Sequence, residues 1–387
     1  MSHLIETVYN LLWGDLFTLP VGGGIGISLM AVLLLTAGVF FTLRTRLLPV
    51  RLFRDMIAAV CEKNQSMDSL SSFQTLIVST ATRVGMGNLV GVVAAVSAGG
   101  AGAVFWMWVT ALLGASTSFV ESTLAQKYRQ PDPLYGGQRG GPAYYMQQGL
   151  GLRWMGFCFA VLISVTFGFA FNSVQSNTIC AAWEGAFGFD PAMTGIVLTL
   201  LTLWVIFGGI RQIARVSSII VPMMALGYVL LALGVVLFNI GHFAGVVELI
   251  VANAFGWEQA LGGGIGAALM QGIKRGLFSN EAGMGSAPNV AATAQVSHPV
   301  KQGLIQTLGV FTDTLVICTC TAFIILFSGA PVDGTVGGVQ LTQAALNLEI
   351  GPSGGIFVAV AILLFAFSSI IGNYYYGEAN IRFITAN

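Results

Sequence analysis

TRVGMGNLVG, residues 82–91, lies in the middle of an apolar stretch that runs from Phe73 to Ala98. Three glycines, an asparagine and an arginine stand where a membrane span should be greasiest. Glycine inside a helix is about 1 kcal/mol worse than alanine. Unwound backbone inside a bilayer is tolerated only where protein buries it or where it lines a cavity. The stretch therefore reads as a helix broken for a purpose. At such a break, freed N–H groups can meet an anion and freed carbonyls a cation. Close helix packing through small residues is the simpler alternative, and it suits Gly91, Gly99 and Gly102. For Gly85, Gly87 and Asn88 the binding reading is preferred.

The composition supports a membrane setting. The chain has 387 residues, of which 55% are hydrophobic and only 8% charged, with a mean hydropathy of +0.82. Soluble domains are about 25% charged. Apolar runs of membrane-spanning length recur, and the short alternating segments of a β-barrel are absent. The N-terminus lacks the basic segment of a cleavable signal peptide, and its first residues, LIETVYNLLWGDL, read as a short interfacial helix. Nine spans are expected, near 21–43, 71–98, 102–126, 153–184, 191–210, 215–240, 258–297, 303–328 and 354–381. The basic, amphipathic LPVRLFRDMIAAVCEK between the first two should lie on the membrane surface.

Charge fixes the orientation. One side carries Arg44, Arg46, Arg51, Arg54, Lys63, Lys127, Arg129, Arg139, Arg153, Arg211, Arg215, Lys301 and Arg382. The other carries Glu6, Asp15, Glu184, Asp190, Glu248, Glu258, Asp333 and Glu349, with no Lys or Arg. The positive-inside rule makes the basic side cytoplasmic and puts the N-terminus outside. Arg83, Lys274, Arg275, Glu121, Glu281 and Asp313 fall within spans, where a charge is usually paired or lines a wet cavity. Glu121 reads as one half of a helix-holding ion pair. Arg83, Arg275, Glu281 and Asp313 divide evenly between ion pairs and a gate, and either Lys274 or Arg275 should snorkel or face a cavity. The Cys318-x-Cys320 pair lacks nearby metal-ligand partners and reads as apolar packing. The three histidines fall near span ends.

The opening stretch has an echo in GLFSNEAGMGSAP, residues 276–288. Both contain GMG followed by a small polar residue, and both open a would-be five-span set. The first set, 71–240, starts inside and ends outside, so the set beginning at 258 is inverted. That is the layout of leucine-transporter-like symporters.

Longer motifs carry a resemblance. STATRVGMGNLVGV, GGAGAVFWMWVTALLGASTSFVESTLAQKYR, RGGPAYYM, GLFSNEAGMGSAP and FAFSSIIGNYYYGE resemble the alanine/glycine:cation symporter family, from about residue 10 to the end. The resemblance implies an all-α polytopic membrane protein with a leucine-transporter-like inverted five-helix repeat. The whole chain, 1–387, would be one transporter domain. An extra N-terminal helix (21–43) would precede the first repeat (71–240) and a partial second repeat (258–387). The family has two more core helices, so the chain reads as C-terminally incomplete. The implied activity is secondary active import of alanine or glycine with Na⁺ by alternating access, across a bacterial inner membrane. Proton coupling with different selectivity is the alternative.

The same resemblance implies a site. N–H groups around Val84, Gly85, Met86 and Gly87 would clamp the substrate carboxylate, beside Asn88. Gln175 would donate to the same carboxylate, or else form an interhelical bond. Carbonyls near Gly276–Ser279 would accept from the ammonium. Phe171 and Phe278 would be walls, or ordinary packing, and Asn373 would set the remaining wall. Carbonyls of Ala81 and Val84 with hydroxyls of Ser368 and Ser369 would hold Na⁺, by analogy with the sodium site of this fold. Serines in spans more often bond their own backbone. Two positions depart from the family pattern: Met86 stands where threonine is common, and Asn373 where many members have tryptophan.

Rival classes fit less well. A channel calls for a filter repeated by oligomer symmetry. An enzyme calls for clustered histidines, cysteines or carboxylates at a pocket. The expected partners are the amino acid, Na⁺ as coupling ion and membrane lipid. No other cofactor and no nucleic acid is expected, and a monomer suffices.

Overall fold

A computed structural model describes residues 2–19, 25–62, 70–133, 136–256, 264–331 and 337–385. The charges expected at Lys63, Glu258 and Asp333 lie outside the described residues, as does the start of the seventh expected span.

The described residues are almost entirely helical. Helix α1 (Ser2–Trp13) leads into a hairpin of β1 (Asp15–Leu19) and β2 (Ile25–Ser28). Helix α2 (Leu29–Arg44) follows, capped by the Ser28 hydroxyl on the Ala31 N–H. The span expected at 21–43 is thus corrected: its helix starts at Leu29. Ile25–Ser28 is strand, so the helix begins only after it. The surface segment folds as α3 (Leu48–Arg51) and α4 (Phe53–Val60). It lies against the protein rather than on lipid alone, because Leu48 and Met56 are buried in a cluster with Leu304.

The first break separates α5 (Ser72–Arg83) from α6 (Gly87–Gly99), and the two are bent by 53°. A capping box starts α5: the Ser71 hydroxyl accepts from the Gln74 N–H, and the Gln74 side chain accepts from the Ser71 N–H. Then come α7 (Gly102–Lys127), α8 (Pro142–Leu150), α9 (Arg153–Phe187), α10 (Pro191–Ile206), α11 (Gly209–Phe238) and α12 (Ile240–Ala254). Helix α13 (Ile265–Asn280) and the short α14 (Ala287–Ala291) flank the second break. Helices α15 (Pro299–Ser328), α16 (Gly338–Ile350) and α17 (Ser353–Thr385) complete the described chain.

Among the described residues, α7, α9, α11, α15 and α17 are long and apolar enough to cross a membrane, and the bent α5–α6 pair makes a sixth. This is a multi-pass membrane protein. Helices α2, α10 and α12 are apolar but shorter. The region between the fifth and sixth core spans holds α12, and α16 stands before α17. Neither was among the expected spans, because neither carries an apolar run of spanning length.

The core that positions the site lies where α5, α6, α9, α11, α15 and α17 meet. Val84, Leu89, Ile179, Tyr228, Ile317 and Phe365 are among its buried side chains. Helix α7 packs along α13 and α15 and closes the other side.

Candidate functional site: two broken helices and a buried polar cluster

The geometry of the first break follows from its hydrogen bonds. In a continuous helix the Gly85 N–H would bond the Ala81 carbonyl. It turns instead to the Arg83 carbonyl at 3.0 Å and the Asn88 Oδ1 at 3.0 Å. Next along, the Met86 N–H donates to Gln175 Oε1 of α9 at 2.9 Å. The Ala81 carbonyl, released from its helical donor, accepts from the hydroxyls of Ser369 at 2.9 Å and Ser368 at 3.3 Å, both on α17. Each serine also bonds its own helix at the Phe365 carbonyl. Val84, buried at the end of α5, completes this corner.

The structure therefore brings Ala81, Gly85, Met86, Gln175, Ser368 and Ser369 together. Gly85 is at the centre: a Cβ there would lie 2.4 Å from Ser369 Oγ and 2.6 Å from Gln175 Nε2. Only glycine lets the three segments close on one point. The ring of Phe278 lies over Gly87, 3.4 Å from where its Cβ would be. Phe171 stacks on Phe278 with centroids 5.1 Å apart and on Phe167 at 4.6 Å. Asn373, fully buried on α17, donates to Asn172 Oδ1 at 2.9 Å, a partner that sequence reasoning missed.

The second break falls within the expected GLFSNEAGMGSAP stretch, 276–288. Helix α13 runs unbroken through Gly276 to Asn280, and the chain turns at Glu281, whose φ is 54°. Gly276 faces α7, packed on Met107 and Thr110. The Leu277 carbonyl accepts from the Glu281 N–H at 3.0 Å, while the carbonyls after it, in the last turn, have no donor within the helix. Gly283 and Gly285 have φ of 85° and 77°, values that favour glycine. Their N–H groups donate to Glu121 of α7 at 3.3 and 3.2 Å. The ion pair expected at Glu121 is corrected: its carboxylate holds the unwound loop. Glu281 accepts from the Ser286 hydroxyl.

Between the breaks sits Asp313 on α15, with no exposed surface. Its oxygens accept from Asn88 Nδ2 at 2.7 Å, Ser279 Oγ at 2.8 Å and Thr314 Oγ1 at 2.8 Å. Asn88 thus spans from the Gly85 N–H to Asp313, and Ser279 joins the last turn of α13 to the same carboxylate. Cys318 is not plain apolar packing. Its sulfur lies 3.3 Å from Asn88 Nδ2 and 3.1 Å from Ser279 Oγ. Arg83 is buried as well, and it donates to the Gln306 carbonyl and Ser118 Oγ, each at 3.2 Å. The ion pairs among the described residues do not include it. It nevertheless acts electrostatically on Glu121, Glu281 and Asp313. Lys274 and Arg275 leave this interior and line a groove with Tyr9 and Trp13 of α1. Lys274 donates to the Trp13 carbonyl at 3.4 Å.

Two broken helices, a freed carbonyl with two hydroxyls and freed amides are the parts of an ion-coupled carrier. Comparison with known proteins decides the family. The model of the sodium:alanine symporter family matches residues 20–387. The chain belongs to that family. It is a transporter, not an enzyme. The amino-acid carrier protein AlsT of Bacillus subtilis is 56% identical over 385 residues, covering 99% of this chain and 78% of that one. The probable sodium/glutamine symporter GlnT of the same organism is 51% identical over 386 residues, with the same two coverages. The sodium/alanine symporter AgcS of Methanococcus maripaludis is 38% identical over 391 residues, covering 98% and 83%.

Solved structures give the fold. MhsT, determined with L-phenylalanine, superposes with a TM-score of 0.56 at 16% identity over 83% of this chain and 78% of that one. A manganese transporter of Eremococcus coleocola gives 0.58 at 12% identity, over 81% and 65%. The fold of this sodium:alanine symporter family member is leucine-transporter-like, and its function is Na⁺-coupled amino-acid symport.

Proposed function

We propose that the protein imports small neutral amino acids, alanine and glycine, together with Na⁺ by alternating access. The observation that carries this reading is the junction at Gly85. On one side of it the Ala81 carbonyl faces two serine hydroxyls, a hard-oxygen set suited to Na⁺. On the other side the amides of Gly85 and Met86 end on side-chain oxygens of Asn88 and Gln175. A substrate carboxylate would replace those oxygens on the amides, with the Gln175 amide turned to donate to it. Ion and substrate then share one unwound segment, so each orders the backbone that the other needs, and their affinities rise together. The rings of Phe171 and Phe278 give the small apolar wall. Lipid surrounds the protein, and the basic-side rule puts the N-terminus outside.

Names of relatives point to both alanine and glutamine, so the side-chain end of the pocket matters most for selectivity. Proton coupling is the second reading, favoured by the three carboxylates buried around Arg83. Uptake of a panel of amino acids into vesicles, with Na⁺ replaced by K⁺ or choline and with an imposed pH gradient, separates the two. Alanine uptake that collapses without Na⁺ supports the first. Uptake that ignores Na⁺ and follows the pH gradient replaces it with the second.

A further inference from the structure

Asn373 has no exposed surface, and its Nδ2 donates to Asn172 Oδ1. Its own Oδ1 is buried without a hydrogen-bond partner. The Asn172 Nδ2 donates to the Gly168 carbonyl of its own helix at 3.5 Å, which fixes the orientation of the pair. The pair therefore keeps one buried polar group, the Asn373 Oδ1, unsatisfied, which is unfavourable. Such a group, next to a binding site, points to what is missing.

Its place in the fold says what that is. Asn373 stands four residues after Ser369 on α17, and Asn172 three residues before Gln175 on α9. Those spacings put each asparagine on the same helix face as its neighbour, one turn away. Ser369 and Gln175 both converge on Gly85. The asparagine pair therefore lies about 5.4 Å along from the amides expected to hold the substrate backbone. Phe171, beside Asn172, stacks on Phe278 and keeps the interval apolar.

We infer that the Asn172–Asn373 pair is a side-chain subsite for an amino acid bearing a carboxamide, with glutamine the best fit. A carboxamide has both an NH₂ donor and a carbonyl acceptor, and its NH₂ satisfies the Asn373 Oδ1. A glutamine side chain places its amide nitrogen about 5 Å from Cα, which matches one helical turn. Asparagine falls one methylene short and should bind less well. Alanine leaves the subsite empty, and norleucine fills it with methyl groups that meet none of its polar atoms. The inference rests on the amino-acid reading above and refines its substrate class.

The test is competition for uptake into proteoliposomes of the protein under an inward Na⁺ gradient, with labelled alanine as reporter. Glutamine should compete about 10-fold more strongly than norleucine, and asparagine should fall between them. Asn373→Leu and, separately, Asn172→Leu should bring the glutamine-to-norleucine ratio close to one. Equal competition in the unaltered protein, or a ratio untouched by both substitutions, overturns the subsite and means that a bound water meets the asparagine oxygen. Should alanine uptake be absent while glutamine is taken up with Na⁺, the alanine reading falls and the subsite stands. If no amino acid is transported, the purified protein decides. Greater thermal stabilisation by glutamine than by norleucine in Na⁺ supports the subsite, and equal stabilisation refutes it.

Discussion

Gly85 and Gly283 stand in matching GMG triplets but are glycine for different reasons. Gly85 has no room for a side chain between Ser369 and Gln175, whereas Gly283 needs a backbone conformation that side chains resist. Gly85→Ala should push the Ser369 hydroxyl off the Ala81 carbonyl and Gln175 off the Met86 amide. Both the Na⁺ and the alanine concentrations for half-maximal uptake should rise, beyond what any loss of stability explains. Gly283→Ala should instead cost about 1–2 kcal/mol of stability, seen as a lower melting temperature. Parallel uptake and thermal-melt measurements on the two variants check the contrast. Gln175→Leu tests the clamp itself. It keeps the volume and removes the polar group, so alanine affinity should drop about 10- to 150-fold, the equivalent of 1.5–3 kcal/mol for a bond to a charged group. An unchanged dissociation constant would make Gln175 a packing residue. The triplets and Gln175 were legible in the sequence, because glycines and amides stand out in an apolar run. The partners of Asp313 were not. Asn88 lies 225 residues away in sequence and Ser279 34, on different helices, and no local pattern links them.

At the scale of elements, the first break is a joint between α5 and α17. Ser368 and Ser369 are separated from Ala81 by 287 and 288 residues, yet both hydroxyls reach its carbonyl. Replacing both with alanine removes two oxygens from the expected ion site and leaves Gln175 and the break's amides in place. The Na⁺ concentration for half-maximal uptake should rise strongly, and alanine affinity at saturating Na⁺ should change much less. Wild-type Na⁺ dependence in the double variant would put the ion elsewhere. Helix α7 does for the second break what α9 and α17 do for the first, through Glu121 on the Gly283 and Gly285 amides. The sequence showed that both helices break, because paired glycines interrupt long apolar runs. Within the expected stretch 276–288, the unwinding starts at Glu281. A helix can run on through Gly276 when that glycine packs against α7, and the turn comes where Glu281 adopts a left-handed conformation.

At the scale of the molecule, the basic side is tied together across distant segments. Glu62, just after α4, pairs with Lys301 near the start of α15 at 2.9 Å. Burial pushes the Glu62 carboxyl up, but hydrogen bonds from Lys301 and Ser297 and the Lys301 charge outweigh it and hold it below its ordinary value of 4.5. A carboxyl lowered by folding stabilises at pH above that ordinary value and loses the contribution as pH falls through the folded value. Lys301→Ala should therefore lower the melting temperature slightly at pH 7. The pair is solvent-screened and contributes at most about 1 kcal/mol. The difference should vanish in melts at strongly acid pH. Class was legible at this scale from composition and from the recurring apolar runs. The short helices α12 and α16 were not, since neither carries an apolar run of spanning length.

The buried charges of the interior have an electrical consequence. Among the described residues, three carboxylates, Glu121, Glu281 and Asp313, share a single buried guanidinium, that of Arg83, while Asp132 is matched by Arg382. Taken as ions, they leave the empty carrier with excess negative charge in its moving parts. Each elementary charge carried across 100 mV is worth about 2.3 kcal/mol. Membrane voltage should then act on the unloaded protein as it reorients, and bound Na⁺ should cancel part of that effect. Voltage jumps applied without any amino acid should draw brief displacement currents that shrink as Na⁺ is raised. Silence under those conditions would show that protons already neutralise the carboxylates, and the carrier's resting cycle would then be blind to the membrane potential.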